Sequence, residues 1–306
     1  MNANLKKAQL LKICGSWKLN PYEPYVSLSK EEKRETLLLD LEEWIQEAKA
    51  FILSHAFLIA LKSADFDSSV TGIPIGKLSM AICEEPKKAE DSLMSIINSC
   101  DYEMIFCKID SRDQLSLSIL KKAGFQVVDT QVTFLYERGL SDLKYRKVLF
   151  KVREVKEEDR DKVLEISKEA FRSYPSRYWR DVKLRPFSTK VYEIWVNNLI
   201  DSAIEKREAK MLVAEKKSVV AFFGYPFNAN MHKITGKYHG VHGLSGVSKE
   251  GKGAYVSLCL KDPQVGVRED TLEYDTTLEN KEVIRIWNKL GFRHIRTSIL
   301  LHKWLK

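Results

Sequence analysis

The chain carries an internal repeat. Residues 113–137 read DQLSLSILKKAGFQVVDTQVTFLYE and residues 280–304 read NKEVIRIWNKLGFRHIRTSILLHKW, an offset of 167 positions (280 − 113). At that offset Lys122 meets Lys289, Gly124 meets Gly291, Phe125 meets Phe292 and Thr130 meets Thr297. Apolar positions agree as well: Ile119 with Ile286, Val128 with Ile295, Val132 with Ile299. Each copy reads as a helix ended by a glycine that can take φ > 0, followed by a β-rich tail. Each also closes its half of the chain. The repeat therefore predicts two related domains in tandem, 1–140 and 148–306, joined in the polar stretch 138–147. A length of 306 residues agrees, at about 150 residues per domain.

In the first half, an irregular segment at 15–28 with Pro21 and Pro24 precedes an amphipathic helix over 30–51. A strand at 55–61, a turn at 68–71, a strand near 73–82, a helix over 87–99 and a strand at 103–109 lead into the first copy. The second half opens with a strand at 148–154 and a helix over 157–171, whose acidic start suits a helix N-terminus. There follow an aromatic and arginine-rich loop at 172–189, a helix over 190–206, and strands at 211–216, 218–224 and 238–247. A short helix starting near Gly253 and a strand at 268–275 lead into the second copy. Strands and helices mixed in this order indicate an α/β layered fold with a mixed (α+β) sheet.

Hydrophobic residues at 44% and charged residues at 30% exclude disordered, collagen-like and coiled-coil chains. Five scattered cysteines, never spaced C-x-x-C, argue against zinc and against a disulfide framework, and suit a reducing cytoplasm. No apolar run reaches the ~20 residues needed to span a bilayer, and the start MNANLKKAQLLK lacks the features of a signal peptide. Fifty basic against 42 acidic residues leave a net charge of +8. That surplus tolerates a polyanionic ligand such as coenzyme A, a nucleotide-sugar or RNA, and equally a surface tuned for solubility. No basic run is dense enough to make nucleic acid the favoured partner.

One segment carries a chemical signal. The strand 238–247 (YHGVHGLSGV) runs into SKEGKGAYVSLCL, a strand, a Gly-x-Gly turn and a helix start. Glycines at Gly251 and Gly253 let the backbone around Lys252 and Ala254 approach an anion, and first-turn N–H groups point at it. A plain β-to-α turn uses the same residues. His239 and His242 stand on the strand; an unshifted imidazole near pH ~6.5 can accept a proton at neutral pH. Three apart, they cannot share a face of a regular strand, and a satisfied structural histidine is the alternative for each. The loop 172–189 places Arg177, Tyr178, Trp179 and Arg180 together. Rings that stack beside guanidiniums that fork onto phosphate suit a nucleotide-sugar; a basic loop anchored by aromatics is the plainer alternative.

The glycines precede, by a helix and a strand, the segment Asn280-x-x-Val283-x-x-Ile286-Trp287-x-x-x-Gly291-Phe292. In that order the pieces resemble the GNAT superfamily of acyl-CoA-dependent N-acetyltransferases, over 148–306 and more faintly over 55–137. The resemblance implies two tandem GNAT-like domains, a degenerate first and a catalytic second. The stretch FDSSVTGIPIGKL at 66–78 and the run SRYWRD at 176–181 followed by Tyr192, Trp195 and Asn198 are similar to the dTDP-fucosamine acetyltransferases.

The resemblance further implies acetyl-CoA as acyl donor without a metal. Amides from Gly251 to Ala254 would hold the pyrophosphate, Asn280 and Trp287 would line the pantetheine, and backbone N–H groups around Val247 would take the oxyanion. His239 or His242 would serve as base. Trp287 stands where many members carry an acidic Tyr, and an indole cannot act as a general acid near neutral pH; Tyr274 is one substitute. Glu250 stands where Gln or Arg is usual. The expected acceptor is a small primary amine, for instance on a nucleotide-linked amino sugar, acted on in the cytoplasm, with a homodimer left open. A peptide or aminoacyl acceptor, and a non-catalytic acyl-CoA-binding protein, are the alternatives.

Overall fold

A computed structural model describes residues 3–140, 148–266 and 269–305. The chain forms two compact units: residues 1–131 with 296–306, and residues 132–295.

The first unit holds α1 (Ala3–Ser16), α2 (Lys30–Glu47), β1 (Ala50–Leu53), β2 (Phe57–Ser63), α3 (Asp65–Thr71), β3 (Ile75–Ile82), α4 (Pro86–Asn98), β4 (Met104–Asp110) and α5 (Gln114–Lys122). Helix α2 starts on a capping box: the Ser29 hydroxyl accepts from the Glu32 amide at 3.1 Å, and the Ser29 amide donates to the Glu32 carboxylate at 2.7 Å. Together such bonds satisfy two amides that a helix start leaves orphaned. Leu37, Leu41 and Ile45, at i, i+4 and i+8, form its buried stripe. Strands β1, β2 and β3 are antiparallel, and β3 runs parallel to β4 through Ile75–Leu78. Apolar faces of α4 (Leu93, Ile96, Ile97) and α5 (Leu117, Leu120) close the core.

Two expectations change here. The helix over 30–51 ends at Glu47, because residues 50–53 pair with β2. The turn at 68–71 is the last turn of α3, ended by Gly72 at φ +71°, a glycine helix stop. Helix α1 was not anticipated.

The repeated segments fold as read in their first part. Helix α5 stops ahead of Gly124 at φ +86°, and α11 (Lys281–Leu290) stops at Gly291 at φ +84°. Their tails are exchanged. The strand after α5, β5 (Gln126–Glu137), enters the second unit from Val132 onward. The strand after α11, β12 (Arg293–Trp304), returns to the first unit. There Ser298–Trp304 pair antiparallel with Asp110–Met104, and Leu301 is part of the core. The compact units are therefore not the consecutive halves 1–140 and 148–306. Residues 141–147 of the expected join lie outside the described residues.

The second unit adds β6 (Lys151–Glu154), α6 (Arg160–Phe171), α7 (Arg177–Arg180), α8 (Ser188–Asp201), β7 (Ala209–Glu215), β8 (Val219–Pro226), α9 (Ala229–Thr235), β9 (His239–Gly240), β10 (Leu244–Val247), α10 (Ala254–Lys261) and β11 (Thr271–Thr277), with α11. One set of strands runs β10-β8-β7-β6 and the other β5-β11-β9. The expected strand 238–247 is thus two strands. Its first part lies parallel to β11, His239 opposite Thr271; its second lies antiparallel to β8, Val247 opposite Ala221. The break falls on His242 at φ +55°, a left-handed conformation uncommon for a residue with a Cβ. Among the described residues no helix is long and apolar enough to cross a membrane.

A buried charge cluster ties the start of the second set to the first. Lys210 Nζ lies 2.8 Å from Glu269 Oε2 and 3.0 Å from Asp262 Oδ1, and the Tyr225 hydroxyl donates to Asp262 at 2.9 Å. One ammonium faces two carboxylates, all at most 1% exposed. Burial, then the Glu269 charge, pushes the Asp262 carboxyl up to about 7. A folded-state pKa above the unfolded value of ~3.9 means that the native protein holds an extra proton between those limits. This contribution to stability is complete below the lower value and lost as pH rises through about 7. Thermal melts are expected to show Tm falling from pH 5 to pH 8, with the fall reduced in Asp262→Asn; an unchanged slope would count against it.

Candidate functional site

The split strand opens a cleft. Strand β9 pairs with β11 on one side and, through the Phe227–Gly240 bridge, with the continuation of β8 on the other; past His242 the chain keeps β8 and no longer pairs with β11, so β10 and β11 part there. In the β10–β8 ladder the Ser248 amide bonds to the Val220 carbonyl at 2.8 Å. Alternation along an antiparallel pair then makes residues 246 and 244 the bonded partners of β8, and turns the N–H and C=O of Ser245 and Val247 the other way. Strand β10 is the edge of its set. Among the described strands, nothing pairs with that edge.

At the vertex of the cleft the His242 side chain is 54% exposed, and its Nδ1 lies 2.8 Å from Asp275 Oδ2 on β11. Asp275 Oδ1 accepts from the buried Thr133 hydroxyl of β5 at 2.5 Å. A carboxylate only accepts, so the Nδ1 it binds carries the proton, and the neutral ring presents Nε2 as an acceptor. Imidazole, carboxylate and hydroxyl form a chain along one edge of the opening. Asn280, at the start of α11, donates from Nδ2 to Thr276 Oγ1 at 3.0 Å, which the Tyr174 hydroxyl also meets at 3.0 Å. It is held against the end of β11 instead of capping its own helix.

The turn after β10 meets the steric demands of an anion cradle. Gly251 is packed on β8: a Cβ there would stand 2.5 Å from the Val220 carbonyl oxygen. Gly253, at φ +89°, precedes α10 and gives it no side-chain cap. Among the described residues, a Cβ at Gly253 would meet Leu149 alone, at 3.9 Å. Backbone can therefore approach a ligand at the start of α10, where Ala254 and its neighbours offer amides. Lys252 and Gly253 are exposed. Glu250 is exposed too, and its carboxyl is held below the usual range first by its own backbone amide; it is anionic at neutral pH. The matching turn of the first unit is different. It places Glu84 and Glu85 ahead of α4, Glu85 at φ +56°, and Pro86 removes an amide from the helix start.

Several expected site residues are interior. His239 is fully buried, with Nδ1 2.7 Å from Thr271 Oγ1 and Nε2 2.9 Å from Thr235 Oγ1. Both ring nitrogens are engaged by hydroxyls, and it leaves the candidate bases. Tyr274 is stacked between Phe223 and Phe292, at 5.3 and 4.6 Å. Burial raises its hydroxyl well above the ordinary tyrosine value, which makes it a poor acid. Trp287 is buried, and its Nε1 donates to the Tyr255 hydroxyl at 2.9 Å. It belongs to the core and not to a pantetheine wall. Trp287→Tyr is accordingly expected to lower Tm without raising turnover; a rate gain would place position 287 at the reacting atoms.

The acceptor loop is corrected in part. Arg177 and Tyr178 are buried on α7, the guanidinium donating to the Tyr178 hydroxyl at 2.6 Å. Tyr178, Tyr174, Phe171 and Trp195 surround Tyr192, the Phe171 ring stacked on it at 4.2 Å. Trp179 and Arg180 stay partly exposed, Arg180 paired with Glu279 at 2.8 Å and Arg185 over the Trp179 ring at 5.3 Å. Asp275 and Thr133 were missed by sequence reasoning. A charged residue inside the strand pattern TLEYDTT was the only signal for Asp275, and Thr133 gave none.

No protein-family model matches the sequence, and no curated protein matches it. Solved structures do match in fold. A GCN5-related N-acetyltransferase from Sphaerobacter thermophilus aligns with a TM-score of 0.55 at 14% identity, over 98% of this chain and 94% of its own. One from Kribbella flavida aligns at 0.54 and 13% identity, over 86% and 92%. A tandem GNAT protein from the clavulanic acid biosynthesis pathway aligns at 0.53 and 8% identity, over 99% and 96%. The chain has the tandem GNAT fold, as the repeat and its resemblance led us to expect.

Proposed function

We propose that this chain is an acyl-CoA-dependent N-acyltransferase acting in the second unit, with acetyl-CoA as donor and a small primary amine as acceptor. The observation that carries the proposal is the exposed His242, oriented by Asp275, at the point where β10 and β11 part. A purely binding protein has no need of such a pair.

The residues present fit the donor. A glycine turn with room for a ligand and an uncapped helix start suit its pyrophosphate, with Lys252 beside them. Asn280 and the free edge of β10 suit its amide-bearing arm. When bound, acetyl-CoA supplies a thioester carbonyl open to attack. His242 Nε2 takes a proton from the incoming ammonium, which makes the amine a nucleophile. The Val247 N–H, turned to the cleft, receives the negative charge that builds on the carbonyl oxygen. The buried Tyr274 is a poor acid, and a thiolate is a tolerable leaving group without one.

The nucleotide-linked amino sugar rests on sequence resemblance alone, and two of its four expected contacts, Arg177 and Tyr178, are used internally. Thiol release from acetyl-CoA, followed with a panel of amines that includes dTDP-linked amino sugars, polyamines and aminoacyl compounds, tests both levels. Amine-dependent thiol release supports the proposal, and the best substrate names the class. Saturable acetyl-CoA binding with no amine-dependent release across the panel would leave a non-catalytic acyl-CoA-binding protein.

A further inference from the structure

We infer that Thr133 and Asp275 are positioning residues that hold His242 in its Nδ1–H tautomer, so that the second unit's site depends on a strand supplied by the first half of the sequence. The inference deepens the proposed function and rests on His242 as the proton acceptor of that reaction. Thr133 lies on the part of β5 that belongs to the second unit. It is fully buried and spends its one hydroxyl proton on Asp275 Oδ1 at 2.5 Å. The other carboxylate oxygen then receives the proton of His242 Nδ1 at 2.8 Å. With one oxygen tied to a buried strand and the other to the ring, the carboxylate cannot rotate without breaking both bonds. The left-handed backbone at His242 delivers the ring to this carboxylate, and a residue held there despite its strain fits a site whose surroundings fix it. Nε2 is left as the proton-accepting nitrogen of a ring that is 54% exposed. An aspartate that orients a histidine and sets its tautomer acts through that histidine and does not take the proton itself.

The test is the tautomer itself, read from the imidazole nitrogen resonances of His242 in the full-length protein by long-range ¹⁵N–¹H correlation, at a pH where the ring is neutral. Wild type is expected to show Nδ1 protonated and Nε2 unprotonated. Asp275→Ala should convert this to a mixture dominated by Nε2–H. Thr133→Val, which keeps the shape and removes the hydroxyl, should shift the population in the same direction, and Thr133→Ser should restore it. Wild-type His242 already in the Nε2–H form, or a population unmoved by both Asp275→Ala and Thr133→Val, would overturn the inference. Because the readout needs no substrate, failure of the relay and failure of the transferase reading are separable. A protein with the expected tautomers and no acyl transfer would retain the relay and lose the function.

Discussion

Replacing His242 with Asn is expected to lower kcat for amine acetylation by about 10²–10⁴-fold, the usual worth of a positioned acid or base. The Asn side chain can still donate to Asp275, so the local structure should survive, but it cannot accept a proton. KM for acetyl-CoA should stay close to wild type, because His242 stands at the vertex of the cleft, before β10 and the glycine turn that follows it. The deficit should shrink as pH rises, since an amine that arrives already neutral needs no base. Steady-state thiol release between pH 6.5 and 9.5 measures all three. A kcat within twofold of wild type at neutral pH would remove His242 from the reaction.

The second large effect is on affinity. Gly253→Asp is expected to weaken acetyl-CoA binding on the order of 100-fold. A side chain at φ +89° carries strain of ~1–3 kcal/mol. The added carboxylate would also occupy the α10 amides and repel a pyrophosphate. Gly253→Ala separates the two causes, because it brings the strain without the charge and should lose less. Circular dichroism melts accompany both variants, since among the described residues a Cβ at this position meets nothing nearer than 3.9 Å and the fold should persist. Equal losses for Ala and Asp would mean that the backbone, and not an anion, is at stake there.

Much of the architecture was legible because it is written locally. The helix stops at Gly124 and Gly291 follow from a residue type that tolerates positive φ, and the repeat marks two related folds. Which strand a tail joins is not local. β5 and β12 have the right alternation for a sheet edge in either unit, and nothing in their residues says that each crosses to the other. The same limit governs the site. His242 could be named from its residue type and its strand. The break that turns it outward depends on the chain parting from β11 while it stays along β8, a matter of long-range pairing. Asp275 lies 33 residues from His242, and Thr133 lies 142 residues from Asp275, on the other side of His242 in sequence. His239 looked equivalent to His242 in sequence, and only the surrounding hydroxyls of Thr271 and Thr235 separate the two. The arginine and tyrosine of the loop 172–189 were read as ligand contacts because sequence cannot show that Tyr192 gathers them inward.

The two turns that follow the matching strands differ in a way that bears on stoichiometry. In the second unit Gly251-Lys252-Gly253 leaves backbone amides approachable. In the first, Glu84-Glu85-Pro86 places two carboxylates and a missing amide at the same point. Isothermal titration of the purified full-length chain with acetyl-CoA tests this directly. Saturable binding of one acetyl-CoA per chain is the expected result; no detectable heat at millimolar acetyl-CoA, or two equivalents per chain, would contradict it.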